Sequence, residues 1–226
     1  MTAMTTLADR KSFCLAELTR WQDDLVPALA TIPDGPTFEA VRERFVTLLE
    51  KMPDPGWRAP TMRAFSTSGA LYVAVYLAMR ESGADAKTAW SVCEKATASR
   101  FARMKGMERS AASSGMFSWP MRFLVRSLEA RSKGAPLGGW AARYVPPSES
   151  SDYGVDYDRC AIHQLAIDAD AAEFAPFICN ADAIGSHEFG GGLVRTETLA
   201  QGGTRCDFRF KKEARPRSAS TWSEWV

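Results

Sequence analysis

The sequence predicts an α+β fold, with N-terminal helices followed by a C-terminal four-stranded antiparallel sheet. Three observations carry the prediction. Apolar residues recur every three to four positions through the first half of the chain, the period changes to two after Gly139, and the strand-like segments then come as adjacent pairs. A parallel sheet would instead need strands alternating with helices throughout.

Taken in order, Leu18, Trp21, Leu25 and Leu29 make the stripe of a first helix. Phe38, Val41, Phe45, Leu48 and Met52 make that of a second, between the breakers Pro36 and Pro53. Residues 53–60 read as a loop. Residues 65–80 are apolar nearly all round, as a central buried helix would be; Tyr72, Val73, Val75 and Tyr76 also suit a strand, and length favours the helix. Trp90, Cys93, Thr97, Phe101 and Met104 mark a fourth helix, and Phe117, Met121, Leu124 and Leu128 a fifth that ends near Gly134. Residues 140–145 and 153–157 alternate with period two on either side of a Pro- and Ser-rich turn and predict an antiparallel pair. A helical stretch over 160–189, interrupted at Pro176, leads to a second hairpin whose strands, 193–199 and 205–211, meet at Gly202 and Gly203. The expected organisation is a flexible N-terminus at 1–12, one domain over 13–211 and a loosely held, basic, Ser-rich tail at 212–226.

A length of 226 residues with 46% apolar and 11% aromatic content is enough for a substantial core. Formal charge is +1, from 28 basic and 27 acidic residues, so bulk electrostatics favour neither nucleic acid nor an acidic membrane as partner, and a small molecule is expected instead. The longest apolar run, 70–79, is ten residues, against roughly 18 to 20 for a bilayer span. The first 13 residues carry Lys and Arg with no apolar run behind them, which reads against a secretory signal and for a cytoplasmic location. Five cysteines, Cys14, Cys93, Cys160, Cys179 and Cys206, form an odd set without a C-x-x-C pair, which argues for reduced thiols. A homo-oligomer is compatible with this balance, and no cofactor is implied.

The second hairpin mixes charge and hydroxyls where a purely structural hairpin needs only apolar alternation. Cys206, Phe208 and Phe210 share one face of its second strand, and Asp207 and Arg209 share the other. A two-residue turn at Gly202 and Gly203 would pair Thr198 with Asp207 and Thr196 with Arg209, whereas a one-residue slip would oppose like charges, Glu197 to Asp207 and Arg195 to Arg209. The bland reading of this polar face is a solvated surface with an exposed ion pair. The functional reading is the lining of a site. In the favoured register Arg195 and Glu197 fall on the core side, a conflict resolved either by a buried Arg195 with a partner such as Asp182 or by a different register.

His163 lies three residues beyond Cys160, so a helix through both would put thiol and imidazole on one face, as a nucleophile or a zinc site requires. A lone cysteine in apolar context is more often a small buried hydrophobe, and the spacings among Cys160, Cys179 and Cys206 match no compact zinc motif. Asn180 or Asp182 suits a helix cap, and Asp182 also suits a general base. His187 and Glu188 are secondary candidates. Gly190, Gly191 and Gly192 lack the spacing of a phosphate loop.

Taken together, residues 155–160, 179–182, 195–198 and 206–210 resemble the L-2-amino-thiazoline-4-carboxylic acid hydrolase family, over about residues 85–211. The resemblance implies hydrolytic opening of a cyclic isothiourea- or amidine-like ring by attack at the ring carbon. It implies a fold like the ligand-binding domains of the vinyl-reductase-associated and haem-nitric-oxide-binding type, which also serve as non-catalytic sensors. Cys160, Cys179, Asn180, Asp182, Arg195, Thr196, Thr198, Cys206, Asp207 and Arg209 occupy patterned positions. The roles expected are Asp182 or Asp207 for holding the protonated ring, Arg195 or Arg209 for a heterocyclic carboxylate, Asn180, Thr196 and Thr198 as further substrate contacts, and either Cys160 with His163, Cys179, or water helped by Asp182 for the attack. No metal is required.

Overall fold

The apolar stripes become helices and the period-two segments become strands. The computed structural model describes residues 7–55, 59–104, 106–133, 138–189 and 191–212. In chain order these form α1 (Leu7–Leu29), α2 (Phe38–Lys51), α3 (Pro60–Glu81), α4 (Ala86–Ala102), α5 (Gly106–Met116), α6 (Trp119–Ser132), β1 (Ala141–Val145), β2 (Tyr153–Arg159), α7 (Ala161–Asp168), α8 (Ala175–Ile178), α9 (Asn180–Glu188), β3 (Leu193–Val194) and β4 (Cys206–Phe210). The class is α+β, as the sequence predicts. Helix α1 takes in residues 7–12 of the segment expected to be flexible; residues 1–6 and the tail beyond Lys212 lie outside the described residues, as do Gly134 and Gly190.

Contacts divide the chain into two compact units. The helical one comprises the described parts of Met1–Arg100 with Ala161–Ile178, and the other Phe101–Cys160 with Cys179–Val226. In the helical unit α3 is the hub, because Ala70–Val75 and most of its other turns are buried on every side, and α1, α2 and α7 pack around it. Gly69 permits the α7 contact: a Cβ there would lie 2.5 Å from Cγ1 of Ile162. Trp21 and Trp90 meet Tyr72 edge-on at 5.8 and 6.0 Å, and the Tyr72 hydroxyl shares a hydrogen bond with Thr97 Oγ1 at 2.9 Å. Thr37 caps α2 by accepting from the Ala40 N–H, which fixes where that stripe begins.

In the second unit the strands run β1-β2-β4-β3, all antiparallel. Strand β2 therefore pairs with β4 across the sequence, Tyr157 opposite Cys206 and Val155 opposite Phe208. Helix α6 packs on β1 and covers its free edge: Ser132 Oγ donates to Ala142 O at 3.2 Å and accepts from Ala142 N at 3.3 Å, and Glu129 accepts from Tyr144 N at 3.1 Å.

Three local expectations are corrected. The expected fifth helix is α6, capped by Ser118 ahead of Pro120, and a helix not expected, α5, precedes it; its small polar residues make no apolar stripe. The interruption expected at Pro176 falls earlier, where Asp170 adopts φ 53°, while Pro176 sits in the first turn of α8, where a missing N–H costs nothing. The second hairpin is not closed by a two-residue turn. Strand β3 is only Leu193–Val194, Val194 pairs with Arg209, and a 3-10 turn at Leu199–Gln201, capped by Thr198 and ended by Gly202 at φ 84°, occupies the connection. Thr196 was expected opposite Arg209, so the register moves by two residues, and beyond Val194 the faces no longer alternate: Arg195 is buried, whereas Glu197, expected beside it, pairs with Arg205 at 3.0 Å.

Candidate functional site

The faces of β2 and β4 separate two chemistries. Tyr153, Val155 and Tyr157 of β2 lie alongside Phe210, Phe208 and Cys206 of β4, while Asp156 lies opposite Asp207 on the reverse face.

On the aromatic face Arg195 follows directly after β3. Its side chain is 2% accessible, and its guanidinium lies 5.3 Å from the Phe208 ring centre. Nη1 donates to Asp182 Oδ2 at 3.1 Å and Nη2 donates to Cys179 O at 3.2 Å. The register conflict seen in the sequence thus resolves as a buried arginine paired with Asp182. Asp182 occupies the first turn of α9, where a carboxylate also favours the helix dipole. Neither Asn180 nor Asp182 is the cap: Cys179 takes that position without a side-chain hydrogen bond, and Asn180 is the buried first residue of the helix.

Asp182 has an unusual environment. Nearly half its side chain, 46%, is accessible, yet protein encloses the carboxyl on enough sides that burial, against the opposing pull of Arg195, raises its pKa above the ordinary carboxylate value. Burial also pushes the Cys179 thiol far up, and it raises Cys206, whose Sγ accepts from the Leu199 N–H at 3.3 Å. Both thiols are therefore neutral near pH 7. Cys160 is half-buried at the position just before α7, so it is not inside a helix that carries His163; it belongs to the sheet-bearing unit and His163 to the helical one, where burial lowers the imidazole's pKa.

Asp207 is differently engaged. Burial alone would raise its pKa, but the Thr196 Oγ1 bond at 2.6 Å and the N–H groups of Glu197 and Thr196, both at 2.8 Å, outweigh it and hold the carboxyl below its usual range. Its carboxylate takes up backbone donors that a continued β3 would have paired. Thr198 is spent as the cap of the 3-10 turn, its oxygen accepting from Gln201 N and its hydroxyl donating to Gln201 Oε1 at 3.0 Å. Arg209 Nη1 donates to Asp156 Oδ1 at 2.7 Å and to Phe208 O at 2.9 Å. Arg143 and Arg205 also approach Asp156, at 3.4 and 3.7 Å, so the reverse face is an ion network around one buried carboxylate.

The structure thus joins Cys179, Asp182 and Arg195 beside Cys160 and Cys206 and places Thr196, Asp207 and Arg209 elsewhere. His187 and Glu188 approach one another at 3.6 Å near the end of α9. Among the described residues, no three His, Cys, Asp or Glu side chains come together as a metal site, and no helix is long and apolar enough to cross a membrane. Two residues of the face were missed in the sequence, Tyr157 and Phe208. Period-two alternation put each on its strand, but only the pairing of β2 with β4 sets them side by side.

The sequence model of the family described as L-2-amino-thiazoline-4-carboxylic acid hydrolase matches residues 64–210. No curated protein and no solved structure matches the chain.

Proposed function

The chain belongs to the L-2-amino-thiazoline-4-carboxylic acid hydrolase family, and from that premise we propose that it opens a small cyclic isothiourea- or amidine-like ring with water, using Asp182 as general base. The observation that carries this reading is the Asp182–Arg195 pair, a carboxyl partly open to solvent held at 3.1 Å by a guanidinium that is almost wholly buried. A carboxylate with a raised pKa is a better base than a free one. In the reaction, Asp182 accepts one proton as water oxygen bonds to the ring carbon between nitrogen and sulfur, the C=N electron pair moves to nitrogen, and the remaining proton of the new hydroxyl passes to that nitrogen as the carbonyl forms. The carbon–sulfur bond then breaks with its electron pair on sulfur, and the proton on Asp182 passes to that sulfur.

The neutral Cys179 supports water over a thiolate as the attacking group. Arg195, with Nη1 and Nη2 engaged by Asp182 and the Cys179 carbonyl, has the role of holding the base rather than clamping a substrate carboxylate. Asp207 and Thr196 have the role of fixing the backbone next to Arg195, and the buried Asn180 that of shaping the start of α9 beneath the base.

Each ring opening liberates one thiol, which a thiol reagent counts. With 2-amino-thiazoline-4-carboxylate, wild-type protein is expected to turn over. Asp182→Asn should lose roughly 10²- to 10⁴-fold in kcat, and Cys160→Ser should stay active. Wild-type rates in Asp182→Asn would remove the base, and an inactive Cys160→Ser that remains folded would move the attack to a thiol.

A further inference from the structure

We propose that Tyr157 is a further catalytic residue, a hydrogen-bond donor to the departing ring heteroatom; this deepens the hydrolase reading and rests on it. Tyr157 stands in β2 opposite Cys206 of β4. Its ring meets Trp140 at 5.5 Å and Phe208 at 5.3 Å, with interplanar angles of 65° and 85°. Two edge-on contacts fix the plane of the ring and with it the direction of the hydroxyl. The second contact is decisive for position, because the same Phe208 ring carries the Arg195 guanidinium that holds Asp182. Phenol and carboxyl are thus presented from one continuous patch of side chains in a single unit of the chain.

The hydroxyl makes no hydrogen bond to any described residue. The hydroxyl is not closed off by protein, so a bound ligand atom can accept from it in place of solvent. Burial, with Asp182 the foremost charged neighbour, pushes the phenol's pKa far up, so it remains neutral and protonated at every working pH. It is therefore suited to donating a hydrogen bond and unsuited to giving up its proton.

Ring opening calls for that kind of group. When the bond between the ring carbon and sulfur breaks, the electron pair arrives on sulfur before the proton carried by Asp182 does. A neutral O–H aimed at that atom stabilises the developing charge without any change in its own protonation. The proton then passes from the carboxyl to sulfur, since a thiol, at a pKa of about 8.5, holds it more tightly than a carboxyl.

The test compares wild type and Tyr157→Phe on 2-amino-thiazoline-4-carboxylate and on its 2-amino-oxazoline counterpart, whose ring oxygen is the poorer leaving atom. Tyr157→Phe keeps the ring contacts and loses only the hydroxyl. A fall in kcat of roughly 10²-fold on the sulfur ring, a larger fall on the oxygen ring and little change in KM are expected. Protein carrying 3-fluorotyrosine at 157, which retains the O–H, should keep its rate. Full activity in Tyr157→Phe, an equal loss on both rings, or a change confined to KM would overturn the proposal while leaving the hydrolase reading in place. A fluorotyrosine protein as impaired as Tyr157→Phe would overturn it too. If wild-type protein opens neither ring, the hydrolase reading fails and the role of Tyr157 falls with it.

Discussion

Asp182 and Asp207 are two carboxylates brought to opposite ionisation behaviour by their surroundings. Asp182 is enclosed and faces one guanidinium, and its pKa rises; Asp207 accepts three hydrogen bonds, and its pKa falls. Their linkage to stability has opposite signs. The contribution of Asp182 is fully present below the ordinary carboxylate range and is lost as pH rises through its folded value. That of Asp207 is present above the ordinary range and is lost as pH falls through its depressed folded value. Asp207→Asn weakens the bonds to Thr196 and Glu197 and should cost on the order of 2 kcal/mol at pH 7. Denaturant titrations at pH 7 and pH 3 check this: the deficit should shrink at the lower pH, and a deficit independent of pH would show that the charge of Asp207 is not what holds the loop. Cys179 illustrates how far a residue type alone can mislead. Beside a guanidinium a thiol suggests a nucleophile, but burial outweighs Arg195 and leaves it protonated.

At the level of elements, the helices legible in the sequence are those with a one-sided stripe or an all-round apolar surface, such as Phe38–Lys51 and Pro60–Glu81. Helix α5 was not legible because Ser110, Ala111, Ala112, Ser113 and Ser114 give no period to read. The strands' faces were legible, since alternation fixes parity, but the register of β3 on β4 was not. The turn residues Gly202 and Gly203 suggested a tight hairpin, whereas the side chains of Thr198 and Asp207 capture the backbone groups that such a hairpin would have used. At Ala142, protection of the β1 edge rests on one hydroxyl of α6. Ser132→Ala removes both bonds to Ala142 and should destabilise the protein by about 1 kcal/mol, with faster amide exchange at Ala142 than at Val155 in the sheet interior. Unchanged exchange at Ala142 would mean that the edge is covered by other means.

At the scale of the whole molecule, near-neutral charge agrees with a small-molecule substrate more than with a polyanion. The candidate site combines segments far apart in sequence: Tyr157 from β2, Cys179 and Asp182 at the start of α9, Arg195 after β3 and Phe208 in β4. Sequence could announce part of it, because an arginine on the core side of a strand demands a buried partner, such as Asp182. It could not announce Tyr157, whose place depends on pairing two strands about fifty residues apart. The central claim is that Asp182, held by Arg195, is the base, and the pH dependence of kcat/KM for thiol release tests it most directly. Wild-type protein should show an acid limb above about pH 4, the ordinary carboxylate range, and Arg195→Met, which removes the group that lowers the pKa of Asp182, should move that limb to higher pH. A limb at or below pH 4 in wild type, or one that stays in place or moves down in Arg195→Met, would contradict it.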